Sequence, residues 1–342
     1  MNEISLHADL WARLLERRER LPHALLFAGQ RGLGKFALAR AFAAGLLCES
    51  PGGDGRACGR CLACNWHSQG NHPDFRLLQP DALSEAEGAG DDKETKKKAS
   101  QQITIDQVRE LDGFLSVGTH RSGLRIVIVH PAEAMNRSTA NALLKTLEEP
   151  APGTLFLLVS NEPLRLLPTI RSRCQAVPVG LPPVDRSVAF LREAGVADPE
   201  QWLGLAGGAP LLAAELAGAG TGGWLEQLVA CLAAGRRGDA LGSAAEVDRL
   251  VRESKGKVGL RQVVEWAQKW TVDLLLARKS LPVRYFSRHQ ATIAALVQGV
   301  AAEQLIRFHR RLLQARRQVE QPLNARLFLE EFFLDYRTLF AE

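Results

Sequence analysis

Short apolar runs punctuate the first half of the chain, and polar helical patterns separate them. Ala24 to Ala28, Asp74 to Leu78, Arg125 to Val129 and Leu155 to Ser160 are the candidate strands. The last two lack alternation of apolar and polar residues, as a strand buried on both faces does, and so belong to a central parallel sheet covered by helices. Between Ser138 and Glu149, the residues Ala140, Leu143, Leu144 and Leu147 fall at i, i+3, i+4 and i+7. They define one buried helical stripe, which Pro150 terminates. From Ala82 to Gln102 there is no apolar period and the charges are mixed, so a mobile surface loop is expected. Its Lys96, Lys97 and Lys98 read as solvated rather than as nucleic-acid contacts.

Composition shifts at Pro178 to Pro183, where a short Ala-, Gly- and Leu-rich helical segment begins and runs to about Gly220. Beyond Gly222 the chain is helical by pattern, and Val264, Ala267, Leu274 and Leu275 share faces with Trp266 or Trp270. Three domains are expected: an α/β domain over 1–180, a small helical domain over 181–220 and an all-helical domain over 221–342. The length of 342 residues fits that division, because one core rarely serves so long a chain. With 46% apolar and 24% charged residues the chain is globular, and its apolar runs fall far short of a membrane span. Glu3, Asp9 and Arg13 interrupt the N-terminal apolar residues, unlike a secretory signal, so a cytoplasmic protein is expected. A net charge of +5 is compatible with nucleic acid without pointing to it.

Gly29 to Phe36, GQRGLGKF, follows a candidate strand and opens a helix. In that setting Gly29, Gly32 and Gly34 permit a tight phosphate-wrapping path, and Lys35 extends toward the terminal phosphates. The eighth position, however, is Phe36, which has no hydroxyl for magnesium. At the end of the strand in RIVIVHPAEAM, His130 and Pro131 stand where the metal-linked carboxylates of a phosphoryl-transfer site are needed. Glu133 lies past the strand end and is not assigned as a substitute base. The loop reads as vestigial, with residual phosphate binding or a plain packing turn as the alternatives.

Four of six cysteines, Cys48, Cys58, Cys61 and Cys64, form a C-x9-C-x2-C-x2-C pattern suited to a closed tetrahedral metal site. Structural zinc is the first expectation and an iron–sulfur cluster the second. His67 and His72 are read as surface groups or as supports behind the ligands rather than as ligands.

Asn136 to Val179, NRSTANALLKTLEEPAPGTLFLLVSNEPLRLLPTIRSRCQAVPV, resembles the AAA+ clamp-loader family of bacterial DNA polymerase III. So do Leu21 to Lys35 and the cysteine segment; the match covers about the first 210 residues, with NARLFLEEFF, Asn324 to Phe333, adding weak support. The resemblance implies a RecA-like sheet domain, a helical lid and a helical collar that joins subunits. It implies gamma/tau and delta subunits as partners in a heteropentamer that places a sliding clamp on primer–template DNA. Within the family, Ser172-Arg173-Cys174 matches the triplet whose arginine reaches a neighbouring ATP. ATPase members carry a hydroxyl after the lysine, an Asp-Glu pair and a sensor arginine; here stand Phe36, His130-Pro131 and Gly207-Gly208-Ala209-Pro210. These departures imply a subunit that does not itself use ATP or Mg2+. The competing expectations are an active gamma-type ATPase and an independent zinc-ribbon nucleic-acid binder. The arginines of the C-terminal region, Arg307, Arg310, Arg311, Arg316 and Arg317, read equally as partner contacts or a solvated face.

Overall fold

The structure, a computed structural model, describes residues 3–83, 100–116, 123–220, 222–254, 256, 258–319, 321 and 323–340. The chain divides into two compact units, Met1–Pro183 and Val184–Glu342. Lys96, Lys97 and Lys98 lie outside the described residues.

In the first unit, β1 (Ala24–Ala28), β2 (Phe75–Leu78), β3 (Arg125–Val129), β4 (Thr154–Ser160) and β5 (Gln175–Pro178) form one sheet in the order β2-β3-β4-β1-β5. Every pairing is parallel. Strands β3 and β4 are buried along their whole length, in keeping with the apolar runs Ile126 to Val129 and Leu155 to Val159 that make up most of them. The pattern along the chain does not announce β5. Of its four residues only Val177 is buried, and Pro178 closes it, which suits an edge strand.

The helices of this unit include α1 (Ala8–Glu16), α2 (Lys35–Leu47), α3 (Leu62–Ser68), α4 (Ile105–Ser116), α5 (Arg137–Glu148) and α6 (Pro168–Arg173). Val108, Leu111 and Leu115 of α4, Ala140, Leu143 and Leu147 of α5, and Ile170 of α6 share one core cluster with Leu26, Val127, Val129, Phe156 and Leu158. Helix α2 packs on β1, β3 and β4 but contributes nothing to that cluster, so it covers the opposite face. Asn136 caps α5, its side-chain oxygen accepting from the Thr139 N–H at 2.9 Å. The buried Arg125 guanidinium donates to the Leu115 carbonyl at 2.6 Å and so satisfies the C-terminal end of α4.

Among its described residues the second unit consists of helices joined by loops, with no strand. Its first three helices, α7 (Val184–Glu193), α8 (Pro199–Leu205) and α9 (Pro210–Gly218), pack on one another. Six more follow: α10 (Gly222–Ala233), α11 (Ala240–Glu253), α12 (Leu260–Arg278), α13 (Gln290–Leu296), α14 (Ala302–Gln318) and α15 (Ala325–Thr338). Trp266 and Trp270 of α12 are fully buried. The Asp273 carboxylate, also buried, accepts backbone N–H groups of Arg284, Tyr285 and Phe286, the first and last at 2.7 Å, and pins that loop to the helix. Tyr336 of α15 accepts from Trp270 Nε1 at 2.9 Å and donates to the Leu232 carbonyl at 2.8 Å, so one hydroxyl ties α10, α12 and α15 together.

Removing that hydroxyl leaves two buried polar groups without their partner. Tyr336→Phe should therefore lower unfolding free energy by about 1–3 kcal/mol, measured by urea denaturation, while Leu327→Ala on the exposed side of α15 changes it little.

Candidate functional site

The phosphate-type loop links β1 to α2. Gly32 and Gly34 adopt φ of 81° and 79°, a left-handed path that disfavours other residues. Lys35 begins α2 and is only 3% exposed. Rather than extending outward, its Nζ donates to the Gln30 carbonyl at 2.6 Å and to Asn161 Oδ1 at 2.8 Å. Burial pulls the Lys35 pKa down to about 8, against the opposing pull of Glu133. Glu133 Oε1 in turn accepts from the Asn161 N–H at 2.9 Å. A continuous chain, Gln30–Lys35–Asn161–Glu133, thus ties together the residues following β1, β4 and β3.

Beside this chain the Phe36 and His130 rings stack, centroids 4.3 Å apart and planes within 11°. Burial holds the His130 pKa down to about 4, with Lys35 adding to it and Glu133 opposing, so the imidazole is neutral at physiological pH. A ring pair occupies the two positions where magnesium chemistry needs a hydroxyl and a carboxylate. Asn161 is not singled out along the sequence, and Glu133 is noted there without a role; the available signal is the polar pair Ser160-Asn161 directly after the apolar run Leu155 to Val159.

The four expected cysteines converge. Their sulfurs all lie within 4.8 Å of one another, with Cys48–Cys61, Cys58–Cys64 and Cys48–Cys64 at 3.8, 3.9 and 3.6 Å. A tetrahedron with metal–sulfur bonds of about 2.3 Å has edges of about 3.8 Å, so the residues fit a tetrahedral ion. Backbone N–H groups of Cys58, Cys61 and Cys64 point at the sulfurs of Cys48, Cys58 and Cys61 at 3.3, 3.4 and 3.4 Å. The N–H groups of Arg60 and then Cys61 hold the Cys58 pKa down to about 6, favouring thiolate. Cys48 caps the end of α2 and Cys61 the start of α3, which fixes two ligands on rigid elements.

His67 and His72 are neither surface groups nor ligands: they are 6% and 1% exposed and stand outside the sulfur cluster. The His67 ring lies 4.7 Å from Phe75, and His72 Nδ1 accepts from the Asp74 N–H at 3.1 Å, so both pack beside β2. Helix α1 and His7, the residue that caps it, link the loop to the segment between Cys48 and Cys58. His7 Nε2 donates to the Leu33 carbonyl at 2.6 Å, and one turn later Trp11 Nε1 donates to the Asp54 carbonyl at 2.8 Å.

Arg173 ends α6 with its side chain about one-third exposed (34%). Its guanidinium meets Glu148 of α5 at 2.6 Å and donates to the Thr169 carbonyl at 2.9 Å. Ser172 Oγ donates to the same carbonyl at 3.0 Å. Cys174 packs against the core, and burial pushes its thiol up to about 11, which leaves it unreactive. In the second unit Gly207 and Gly208, with φ of 64° and 89°, form the turn before α9. On α14, Arg311 pairs with Asp335 at 2.7 Å.

Residues 8–182 match the family described as DNA polymerase III, delta subunit. A curated relative, the DNA polymerase III subunit delta' of Pseudomonas aeruginosa, is 38% identical over 270 residues, 78% of this chain and 75% of the relative. The chain belongs to the delta-prime family. The delta' subunit of Escherichia coli K12 is 37% identical over 169 residues, 49% of this chain and 46% of that one. The tau subunit of the same organism is 34% identical over 155 residues, 45% of this chain and 21% of its own length. Among solved structures, a gamma subunit-related protein of Thermotoga maritima aligns over 96% of this chain and 99% of its own, with TM-score 0.47 and 18% identity.

Two outcomes follow from these delta-prime sites. Stripping the cysteine site with a chelator, or Cys64→Ser, should lower the thermal midpoint by at least about 4 °C and alter Trp fluorescence through Trp11. For Lys35, the folded pKa of about 8 lies below the ordinary 10.5, so across that interval the unfolded chain binds a proton that the folded chain does not. Stability therefore rises with pH from about 8 to about 10.5, and the full penalty applies below it. The difference in unfolding free energy between the natural chain and Lys35→Met should move toward the natural chain over that window; a difference flat from pH 8 to 10.5 would rule out a buried, depressed amine.

Proposed function

We propose that this chain is the non-hydrolysing stator of the DNA polymerase III clamp loader. It assembles with gamma/tau and delta subunits in a heteropentamer and lends Arg173 to the ATP of the neighbouring subunit. That assembly loads the sliding clamp onto primer–template DNA in the cytoplasm. What supports this role is the condition of the nucleotide loop: Lys35 is satisfied by Gln30 and Asn161, and Phe36 stacks on His130, while Arg173 keeps donors available at the surface. A guanidinium supplied across a subunit boundary neutralises charge on a transferring phosphate without any metal site of its own. The RecA-like domain covers 1–180 and carries structural zinc on Cys48, Cys58, Cys61 and Cys64. Residues 181–220 form the lid and 221–342 the collar. The mutual packing of α7, α8 and α9 favours the lid assignment.

The match to tau favours one other reading, an active ATPase of the gamma type. The neutral, stacked His130 speaks against it.

The purified chain should show no magnesium-dependent ATP turnover and contain one zinc per chain in colourless solution. In a reconstituted loader, Arg173→Ala should lower clamp- and DNA-stimulated turnover at least about fivefold, whereas Lys35→Met leaves it unchanged below its melting temperature. Robust turnover by the chain alone, abolished by Lys35→Met, would establish the gamma-type reading instead. Tight, salt-sensitive DNA binding by the isolated chain would mark a nucleic-acid binder.

A further inference from the structure

We propose that Glu148 is the positioning residue for Arg173, holding the guanidinium by one edge so that its other donors face an incoming phosphate. This rests on the trans-acting role of Arg173 given above. Glu148 is the last residue of α5, a helix anchored in the core through Ala140, Leu143 and Leu147. Its Oε1 lies 2.6 Å from Arg173 Nη2, while the Thr169 carbonyl, one turn back on α6, accepts from Nη1 at 2.9 Å. The guanidinium is thus held at two points on two packed helices, with Ser172 Oγ a further 3.5 Å from Nη1.

Two carboxylates, Glu148 and Glu149, sit at the C-terminal end of α5, where the helix dipole disfavours negative charge. A guanidinium beside Glu148 offsets that placement. An arginine on a six-residue helix otherwise samples many rotamers, and the freedom lost on meeting phosphate would weaken the contact. Held by Glu148 and Thr169, the side chain is oriented before the partner arrives. It is not shut away: one-third of it stays exposed, and its contacts among the described residues run through Nη1 and Nη2 and leave Nε without one.

The test uses the full-length chain reconstituted with its ATPase partners, comparing Glu148→Ala, Glu148→Gln, Arg173→Ala and the Glu148→Ala/Arg173→Ala double variant, with thermal midpoints confirming that each folds. Glu148→Ala should lower kcat for clamp- and DNA-stimulated ATP turnover by about two- to fivefold, as expected for a half-exposed pair, with KM for ATP unchanged. Glu148→Gln, which keeps an acceptor at the same place, should recover most of the rate even if the alanine variant folds poorly. In the Arg173→Ala background, Glu148→Ala should have no further effect. Full or raised activity in both Glu148 variants, or the same fold-loss in the double variant, overturns the role of Glu148 while leaving that of Arg173 intact. Wild-type turnover by Arg173→Ala overturns the trans-acting role itself.

Discussion

An amine withdrawn from water at the open end of the sheet governs the first unit. A buried ammonium costs several kcal/mol unless hydrogen bonds replace its hydration. Here a loop carbonyl and a side-chain amide supply them, each from a segment that follows a different strand. In a working nucleotide site, phosphate oxygens would occupy that role. Because the protein provides the acceptors itself, Lys35 needs no phosphate oxygen to be satisfied, and Phe36 and His130 stack on each other close by. The contacts that satisfy the buried amine are therefore also contacts that hold the segments following β1, β4 and β3 together.

The cysteine module belongs to that arrangement and is not an isolated clip. From the cap of α1 onward, His7, Trp11 and Leu15 recur every four residues; the first reaches the nucleotide loop and the second the segment between Cys48 and Cys58. A side chain at Gly55 would meet Leu15 at 2.2 Å, so this turn seats directly on the helix. An ion held by the four cysteines would fix the far end of a strut whose near end steadies Leu33.

How much of this was legible along the chain follows from physical range. Strands β3 and β4 show themselves because burial on both faces favours consecutive apolar residues, here Ile126 to Val129 and Leu155 to Val159. β5 needs only Val177, so nothing distinguishes it from a turn. The four cysteines were readable from spacing, since a tetrahedral site imposes local geometry. The partners of Lys35 and the burial of His67 and His72 depend on residues distant in the chain, which no local pattern encodes. The Tyr336–Trp270–Leu232 junction is hidden for the same reason: its members are 66 and 104 residues apart. Arg173 stood out through its family resemblance, but its contact with Glu148 became visible only when α5 and α6 were placed side by side.

Gly29 carries a lesson about signatures. A Cβ there would lie 2.4 Å from the Val179 carbonyl, at the point where the chain leaves the edge strand. Architecture alone thus prescribes the first letter of the nucleotide motif, whether or not a triphosphate ever visits. A scan that scores such glycines as proof of turnover would count scaffolding as chemistry, and the discriminating letters are the eighth position and the pair that closes β3.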